Sequence, residues 1–405
     1  MIEPKLRFKA DDGSQFPDWE EHNFGDLYKV CSGYAFKYEN YCASGVALVN
    51  GQAIQHGWID DNNMNYLPET FLQQYKDFVL KENDIVLGLN RPITNGKLKI
   101  ARVPKEYNNS LLYQRAGKIV CKKAVDDDFS YALLAREIFK FTIKEAAGSD
   151  QPFISTSKLN NWKIIVPSSE QEQQKIAEFL STIDTVIAKQ KETVSAWEER
   201  KKGVMQKLFS QEVRFKADDE SEFPEWEEKK LGDVFTERTE RSKGGESLLS
   251  VTIAQGIIKQ SETDKRNIAS ENKSNYKIVK KNDLAYNTMR MWQGAEGVSE
   301  YDGIVSPAYT VITAVDGNNS YFFETMFKQT FMLQVFQRFS QGLTSDTWNL
   351  KFPAFSEIKC QVPCEDEQNK IVECVAVLDE VIEKQKATLA AWEELKKGLL
   401  QQMFV

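Results

Sequence analysis

Histidine is almost absent from this chain of 405 residues, since His22 and His56 are the only two. So few imidazoles leave little material for a zinc site or for a nucleophile activated by histidine. The six cysteines form no CxxC pair. Their sparse and irregular spacing is typical of reduced thiols in the cytoplasm.

Long apolar runs are also missing. No run approaches the roughly 18–20 residues that a membrane-spanning helix needs. The N-terminal sequence MIEPKLRFKADDG has no apolar stretch behind its basic residues, as a secretory signal would. We therefore expect a cytoplasmic protein.

The motifs of several enzyme classes are lacking. The nearest approach to a Walker A loop, at 95–98, has neither the spaced first glycine nor the Ser/Thr that would hold magnesium. No GxGxxG follows a strand, and no Asn/Asp-Pro-Pro-Tyr/Phe run marks an amino-methyltransferase site. The string Glu227-Glu228-Lys229 resembles nuclease residues only superficially, and a solvated surface explains it better. We predict that the chain is not an enzyme.

What the chain does contain is an internal repeat. Residues 6–27 match residues 213–234 at an offset of 207, and residues 172–209 match residues 367–404 at an offset of 195. The stretches between the matched ends are dissimilar. This order predicts a duplicated half-molecule with pseudo-twofold symmetry within one chain.

The second pair of matched segments is helical by its apolar spacing. Apolar residues recur at intervals of four and three, which indicates a coiled-coil seam with one polar position in each copy. We expect the two helices to pack against each other in antiparallel orientation. The residues assigned to this packing are Ile176, Leu180, Ile183, Ile187, Gln190, Trp197, Ile371, Leu378, Ile382, Gln385, Leu389 and Trp392.

The dissimilar stretches have mixed α/β character. Short apolar runs at 84–89, 118–121, 163–166, 283–286, 309–313 and 358–362 predict strands, and turn residues separate them. Helical patterns occur near 131–145 and 322–339. The predicted fold class is α/β (α+β), with two mixed domains joined by two long antiparallel coiled-coil helices.

Basic residues are concentrated locally, although the chain has 52 Lys and Arg against 60 Asp and Glu and a net charge of −8. Nine basic residues lie within 91–123 and seven within 265–290. Such patches on an acidic background suit a surface that faces a polyanion, although ordinary solvated faces would also explain them.

The two patches begin at equivalent places. Asn83-Asp84-Ile85 leads to Arg91, and Asn282-Asp283-Leu284 leads to Arg290, at an offset of 199. An arginine on a loop beyond a strand can contact a guanine edge or a phosphate. Turn chemistry is the alternative explanation for the neighbouring Asn and Gly residues. The candidate DNA-binding residues are Asn90, Arg91, Asn95, Lys97, Lys99, Arg102, Asn287, Thr288, Arg290, Gln293, Lys265 and Arg266.

Each long helix follows a proline, a short acidic loop and a Glu-Gln pair, at 167–173 and at 363–368. The lead-ins at 151–155 and 342–345 are also distinctive. Two divergent domains, each followed by a copy of one long helix, resemble the specificity subunit of type I restriction–modification systems over the whole chain. The repeated FPDWEE and FPEWEE segments are expected to seat each domain on the helices.

The resemblance implies a non-catalytic DNA-recognition subunit. Residues 1–170 and 211–366 would be target recognition domains, each for one half of a bipartite, asymmetric site in double-stranded DNA. Residues 171–210 and 367–405 would be spacer helices that dock two methyltransferase subunits and the restriction subunit. The chain itself would bind no cofactor and no metal, because S-adenosylmethionine, ATP and Mg²⁺ would be held by the partners.

Two other hypotheses remain at this point. The chain could be a coiled-coil scaffold that joins partners without recognising a DNA sequence, or a cryptic nuclease. Salt titration and competition with random DNA distinguish the scaffold from the specificity subunit. A metal-dependent cleavage assay of the isolated chain tests the nuclease.

Overall fold

The computed structural model describes residues 3–62, 64–122, 125–145, 152–253, 255–262 and 272–404. The chain forms two compact units: unit 1 comprises Met1–Lys191 and Ala387–Val405, and unit 2 comprises Glu192–Lys386. Within the described ranges, no helix is both long and apolar enough to cross a membrane.

Unit 1 is built on a four-stranded antiparallel sheet of order β2-β10-β5-β8. Its strands are β1 (Trp19–Asn23), β2 (Tyr28–Ser32), β3 (Val46–Val49), β4 (Asn65–Leu67), β5 (Ile85–Gly88), β6 (Ile93–Thr94), β7 (Lys97–Leu98), β8 (Ile100–Arg102), β9 (Leu111–Leu112), β10 (Ala116–Cys121) and β11 (Lys163–Pro167). Its helices are α1 (Phe24–Leu27), α2 (Phe71–Gln74), α3 (Asp127–Glu145), α4 (Thr156–Asn160) and the first part of α5 (Glu170–Phe209).

The central strand β5 of unit 1 is buried on both faces. Ile85 and Leu87 contribute to a core that also contains residues of α3, whereas Val86 contributes to a second core on the opposite face. This division follows from the two-residue period of a strand. A short apolar run such as 84–89 is therefore a strand between two apolar layers.

Unit 2 repeats the same plan with a sheet of order β13-β20-β17-β18. Its strands are β12 (Glu227–Lys230), β13 (Phe235–Glu237), β14 (Leu249–Thr252), β15 (Gly256–Lys259), β16 (Lys277–Val279), β17 (Leu284–Asn287), β18 (Glu296–Val298), β19 (Gly303–Val305), β20 (Tyr309–Ala314) and β21 (Lys359–Val362). Its helices are α6 (Leu231–Val234), α7 (Ser320–Phe327), α8 (Thr330–Phe339), α9 (Phe352–Ser356) and the first part of α10 (Glu365–Met403). The last part of α5 also belongs to unit 2, and the last part of α10 belongs to unit 1. The mixed α/β class is confirmed, but the single helical pattern at 322–339 is two helices, because Gln329 has an extended backbone.

The two long helices run antiparallel, as expected, within each unit. In unit 1, Lys191 pairs with Glu393 at 3.1 Å, and Asp184 pairs with Lys396. In unit 2, the equivalent pairs at an offset of 195 are Lys386–Glu198 at 3.0 Å and Lys201–Asp379 at 2.5 Å. The sequence repeat is therefore also a repeat of the contacts between the helices.

The residues assigned to helix packing divide into two groups by burial. One group is buried and comprises Ile176, Leu180, Ile183, Ile187, Ile371 and Ile382. The other is half-buried and comprises Gln190, Trp197, Leu378, Gln385, Leu389 and Trp392. Ile176 and Leu180 belong to the core of unit 1 and Ile371 to a core of unit 2, so these residues also attach the helix starts to the domains.

A buried carboxylate seats each domain on the start of its helix. Glu172 is 0% exposed, and it accepts hydrogen bonds from Arg7 Nε at 2.8 Å and from Trp19 Nε1 at 3.2 Å. In unit 2, Glu367 accepts from Arg214 Nε at 3.1 Å and from Trp226 Nε1 at 3.1 Å. These contacts confirm that the repeated FPDWEE and FPEWEE segments are joints. Bonding to the carboxylate raises the pKa of both arginines.

Each domain core also contains the end of a long helix. Phe404, just beyond α10, packs against Trp19 and Phe129 in unit 1, with ring centroids 6.4 Å and 5.7 Å away. Phe209, at the end of α5, packs against Trp226 and Phe322 in unit 2 at 6.4 Å and 5.7 Å. One long helix therefore begins at each domain, and the other one ends there.

An unusual carboxyl group lies in the core of unit 2. Glu296 is 0% exposed, and neither of its carboxyl oxygens has a hydrogen-bond partner among the described residues. The nearest cation is Lys328, with Nζ 3.8 Å from Oε1. Burial raises the pKa of Glu296 well above its ordinary value, with Glu324 adding to the shift and Lys328 opposing it.

We expect Glu296→Gln to stabilise the protein at pH 8 by about 1–4 kcal/mol and to have little effect at pH 4. Above the ordinary pKa, the unfolded chain releases this proton while the folded chain keeps it, so wild-type stability falls as the pH rises toward the folded-state pKa. Urea unfolding at both pH values measures the effect, with the exposed Glu199→Gln as control. An unchanged dependence on pH in Glu296→Gln would contradict the prediction.

Candidate nucleic-acid interface

A common frame supports the candidate loops in both units. Asn83 and Asn282 each have φ of 69°, which completes the same turn before β5 and β17. The next residue holds that turn closed: Asp84 Oδ2 accepts from the Lys81 amide at 2.7 Å, and Asp283 Oδ2 accepts from the Lys280 amide at 2.7 Å. The residues that match in sequence at an offset of 199 therefore also form the same turn in both units.

Beyond this frame, the two loops differ. In unit 1, Asn95 and Gly96 have φ of 51° and 72° and form the two-residue turn of the β6–β7 hairpin. Two positive φ values in succession are typical of a type I′ turn, which favours Asn-Gly. In unit 2, Arg290 is followed by a single 3-10 turn at Met291–Gln293, which ends at Gly294 with φ of 80°. Two equivalent frames thus present different surfaces.

The hairpin of unit 1 carries cations that have no counter-ion in the described part of the chain. Arg91 is exposed, and no carboxylate pairs with it among the described residues. Partial burial lowers the pKa of Lys99, and the nearby Arg91 guanidinium lowers it further. Lys97 is exposed on β7. Neighbouring cations that no carboxylate neutralises are suited to contact with phosphate.

The segment 50–58, which no sequence pattern had indicated, lies beside this hairpin. His56 Nδ1 donates to the Leu98 carbonyl at 3.1 Å, and the Gly57 amide donates to the Ile100 carbonyl at 2.8 Å. Trp58 is 53% exposed, and the segment has amide side chains at residues 50, 52 and 55, of which Asn50 accepts from the Gln52 and Ala53 backbone amides. Amides and an exposed indole next to cations can contact base edges and sugars.

Burial and the two lysines beside it lower the pKa of His56. Burial is the largest cause, and Lys97 and Lys396 add to it, while the bond to the Leu98 carbonyl and the Asp184 carboxylate oppose it. The imidazole is therefore neutral at pH 7, so it offers one donor and one acceptor instead of a charge.

Four candidates of unit 2 lie among the described residues, and Arg290 and Gln293 are the two whose side chains do not hold the loop in place. Arg290 is exposed and Gln293 is half-buried. The other two hold the loop in place: Thr288 Oγ1 donates to the Ala308 carbonyl at 2.9 Å, and Asn287 Oδ1 accepts from the Met289 amide at 3.0 Å.

Four candidates of unit 1 also have structural contacts, one of them Lys99, whose Nζ donates to the Gly51 carbonyl at 3.3 Å. Asn90 forms a bridge with Phe153, and Asn95 lies in the hairpin turn. Arg102 donates to Asp128 Oδ1 at 2.7 Å, and its guanidinium lies 5.1 Å from the centre of the Tyr131 ring. The role of every candidate in DNA contact stays a prediction. Lys265 and Arg266 lie outside the described residues.

Clusters of metal-binding side chains are absent from the described part of the chain, where no three His, Cys, Asp or Glu residues lie close enough to hold an ion.

Solved structures with similar folds include the S subunit of a type I restriction–modification system from M. genitalium. It has a TM-score of 0.56, 16% identity, and coverage of 100% of this chain and 99% of that one. A chain from a study of complex assembly and conformational transition of the type I R-M system has a TM-score of 0.57 and 15% identity, with coverage of 96% and 98%. At such identity, these matches establish the fold alone.

Similar sequences include two specificity subunits. That of the type I restriction enzyme MjaVIII of Methanocaldococcus jannaschii is 37% identical over 218 residues, which cover 53% of this chain and 51% of that protein. That of EcoAI of Escherichia coli is 31% identical over 171 residues, which cover 42% and 28%. The matches thus span about half or less of these relatives.

The family model described as "Type I restriction modification DNA specificity domain" matches residues 17–195 and 224–391. Both halves of the chain, including most of each long helix, are therefore covered by it. The chain belongs to the family of type I restriction–modification DNA specificity proteins.

Proposed function

We propose that this chain is the DNA-recognition subunit of a type I restriction–modification complex and that each unit binds one half of a bipartite, asymmetric site. The observation that carries this proposal is the pair of matched frames with different loops. Asp84 and Asp283 close the same turn, yet a β-hairpin follows in one unit and a 3-10 turn in the other. Two unlike half-sites require two unlike recognition surfaces on one scaffold.

The loops offer suitable chemistry for this role. A guanidinium can donate two hydrogen bonds to guanine in the major groove, and a side-chain amide can pair with adenine. Arg290 and Gln293 supply these groups in unit 2. In unit 1, Arg91 and Lys97 contact phosphate or guanine, and Gln52 and Gln55 lie on the adjoining segment.

The helices provide equivalent surfaces for partners. Each unit contains one half of the helix pair, with the ion pairs Asp184–Lys396 and Asp379–Lys201 at matching positions. Two equivalent surfaces suit two copies of one methyltransferase subunit, as symmetry requires. The methyltransferase subunits supply S-adenosylmethionine, and a restriction subunit supplies ATP and Mg²⁺ chemistry.

Selection from a pool of random duplexes tests the proposal directly. The full-length chain with a methyltransferase subunit of its system should enrich duplexes that contain two short conserved blocks separated by an unconserved spacer. The same blocks should appear in the methylome of cells that carry the gene and should be missing without it. Equal binding of selected and random duplexes at every salt concentration would instead support a scaffold without sequence recognition.

A second experiment tests the absence of catalysis. Purified chain alone is expected neither to transfer methyl groups from S-adenosylmethionine to DNA nor to cleave DNA with Mg²⁺. The complex with the methyltransferase subunit is the positive control. Methyl incorporation by the isolated chain would contradict the assignment.

A further inference from the structure

The loop at 340–351, between α8 and α9, presents a fully exposed apolar side chain. Leu343 is 100% exposed. A single exposed leucine is common on protein surfaces and indicates nothing by itself. Leu343 differs because hydrogen bonds hold its loop together and because that loop is attached to the candidate interface.

Main-chain and side-chain hydrogen bonds hold the loop in one conformation. Gln341 and Asn349 exchange two backbone bonds of 3.0 Å and 2.9 Å, which close its base. Thr347 donates to the Thr344 carbonyl through both its amide and its hydroxyl at 2.9 Å, which closes the tip. Gly342 has φ of 147°, and a Cβ there would lie 2.6 Å from the Thr347 carbonyl oxygen. The loop is therefore compact, and glycine is required next to Leu343.

The loop is attached to the candidate interface of unit 2. The Leu350 amide donates to the Thr288 carbonyl at 2.8 Å, two residues before Arg290. The indoles of Trp348 and Trp292 meet edge to face, with centroids 5.1 Å apart and an interplanar angle of 78°. Trp292 belongs to the 3-10 turn that follows Arg290. A rigid loop is thus fixed to the segment that carries the proposed base-contacting arginine.

Unit 1 has an apolar side chain at a related place. The Ile154 amide donates to the Leu89 carbonyl at 2.9 Å, as the Leu350 amide does to Thr288 at an equivalent position. The residue before Ile154 is Phe153, which is 59% exposed; it matches Asn349 in sequence position, whereas Leu343 lies at the tip of a longer loop. Both units therefore combine an exposed arginine with an exposed apolar group from the second loop.

The charges of the loop indicate which part of DNA it fits. The loop has two charged residues: Lys351 at its end, and Asp346, which phosphates would repel. The tip at 342–345 is uncharged and carries one bulky apolar group. Apolar side chains on rigid supports enter between base pairs and unstack them, while neighbouring cations hold the phosphates.

We propose that Leu343 is a wedge that enters between two base pairs of the half-site bound by unit 2. This inference rests on the proposed function, because it requires specific DNA binding. Leu343 would add to specificity through the ease with which the base step unstacks, a property that varies with sequence.

Fluorescence of 2-aminopurine, placed in turn at each adenine of a selected duplex, detects the unstacked step. The full-length chain is used with its methyltransferase subunit. Wild-type protein should raise the signal at one step of one half-site, and Leu343→Ala should abolish that rise and weaken binding about tenfold. The methyltransferase can itself disturb a base, so only a signal lost in Leu343→Ala counts.

Two further variants serve as controls. Leu343→Phe keeps a bulky apolar tip and should retain both the signal and the affinity. Val213→Ala truncates another exposed apolar residue of unit 2 and should change neither. Because Leu343 makes no buried contact, its alanine variant should unfold at the wild-type temperature, so that a loss of binding is not a loss of folding.

The outcomes separate this inference from the proposed function. If no duplex is enriched from the pool, the proposed function fails and the wedge fails with it. If a motif is enriched but Leu343→Ala keeps the signal and the affinity, only the wedge is wrong. If Leu343→Ala instead weakens the association with the methyltransferase subunit and leaves the base signal unchanged, the tip contacts protein and the wedge is also wrong.

Discussion

Replacing Glu172 with alanine is expected to lower the free energy of unfolding of unit 1 by about 3–5 kcal/mol, because removing one partner of a buried ion pair leaves the other charge uncompensated. Arg7 and Trp19 would both lose their acceptor, since each donates to this carboxylate. The start of α5 would also lose its attachment to the N-terminal segment.

Urea unfolding, followed by tryptophan fluorescence, measures this loss. Glu178→Ala is the matched control, because Glu178 is exposed on the same helix and should change stability by less than about 0.5 kcal/mol. Glu367→Ala should destabilise unit 2 to a similar degree, because its contacts with Arg214 and Trp226 are equivalent. A loss for Glu172→Ala no larger than that of the control would contradict the role of this joint.

Arg91→Ala and Arg290→Ala are each expected to weaken DNA binding by about 10- to 100-fold through one half-site only. A guanidinium that donates two hydrogen bonds to guanine discriminates by about 1–3 kcal/mol, and removing it relaxes the sequence requirement where it binds. Both side chains are exposed and lie in different units, so the two losses should fall on different half-sites.

Competition with duplexes in which one half-site is scrambled shows through which half-site each variant loses affinity. For Arg290→Ala, scrambling the half-site of unit 2 should have little further effect, whereas scrambling the other half-site should still abolish binding. Lys76→Ala, at an exposed position of unit 1 outside the basic block at 91–123, is the control and should change affinity by less than about threefold. An equal loss at both half-sites from either arginine variant would rule out one unit for each half-site.

Much of the fold could be predicted from local patterns. The apolar runs at 84–89 and 283–286 became β5 and β17, because strands buried on both faces need no alternation. The long helices and the joints were also predictable, because both are present in each copy of the repeat. The structure has equivalent contacts at the two joints, with Glu172 in unit 1 and Glu367 in unit 2. The break between α7 and α8 could not be predicted, because neither proline nor glycine lies between Phe322 and Phe336, which both enter the core.

The candidate interface was less accessible to sequence analysis, because it depends on contacts between distant residues. From charge alone, Arg102 and Arg91 are both candidates for DNA contact. The structure shows that Asp128 forms an ion pair with Arg102. The segment at 50–58 carries no local signal, and its relevance comes from its contacts with Leu98 and Ile100. In the sequence, loop 340–351 is distinctive only through residues 342–345, which resemble the family's lead-in to the second long helix.

The placement of Phe404 in the core of unit 1 has a consequence for biosynthesis. Unit 2 is continuous in sequence, from Glu192 to Lys386, whereas unit 1 needs Ala387–Val405 in addition to the first 191 residues. Nascent domains usually fold in the order of their synthesis. Here most of unit 1 precedes unit 2 in the chain but has to wait, with the space between Trp19 and Phe129 unfilled, until Phe404 has been synthesised.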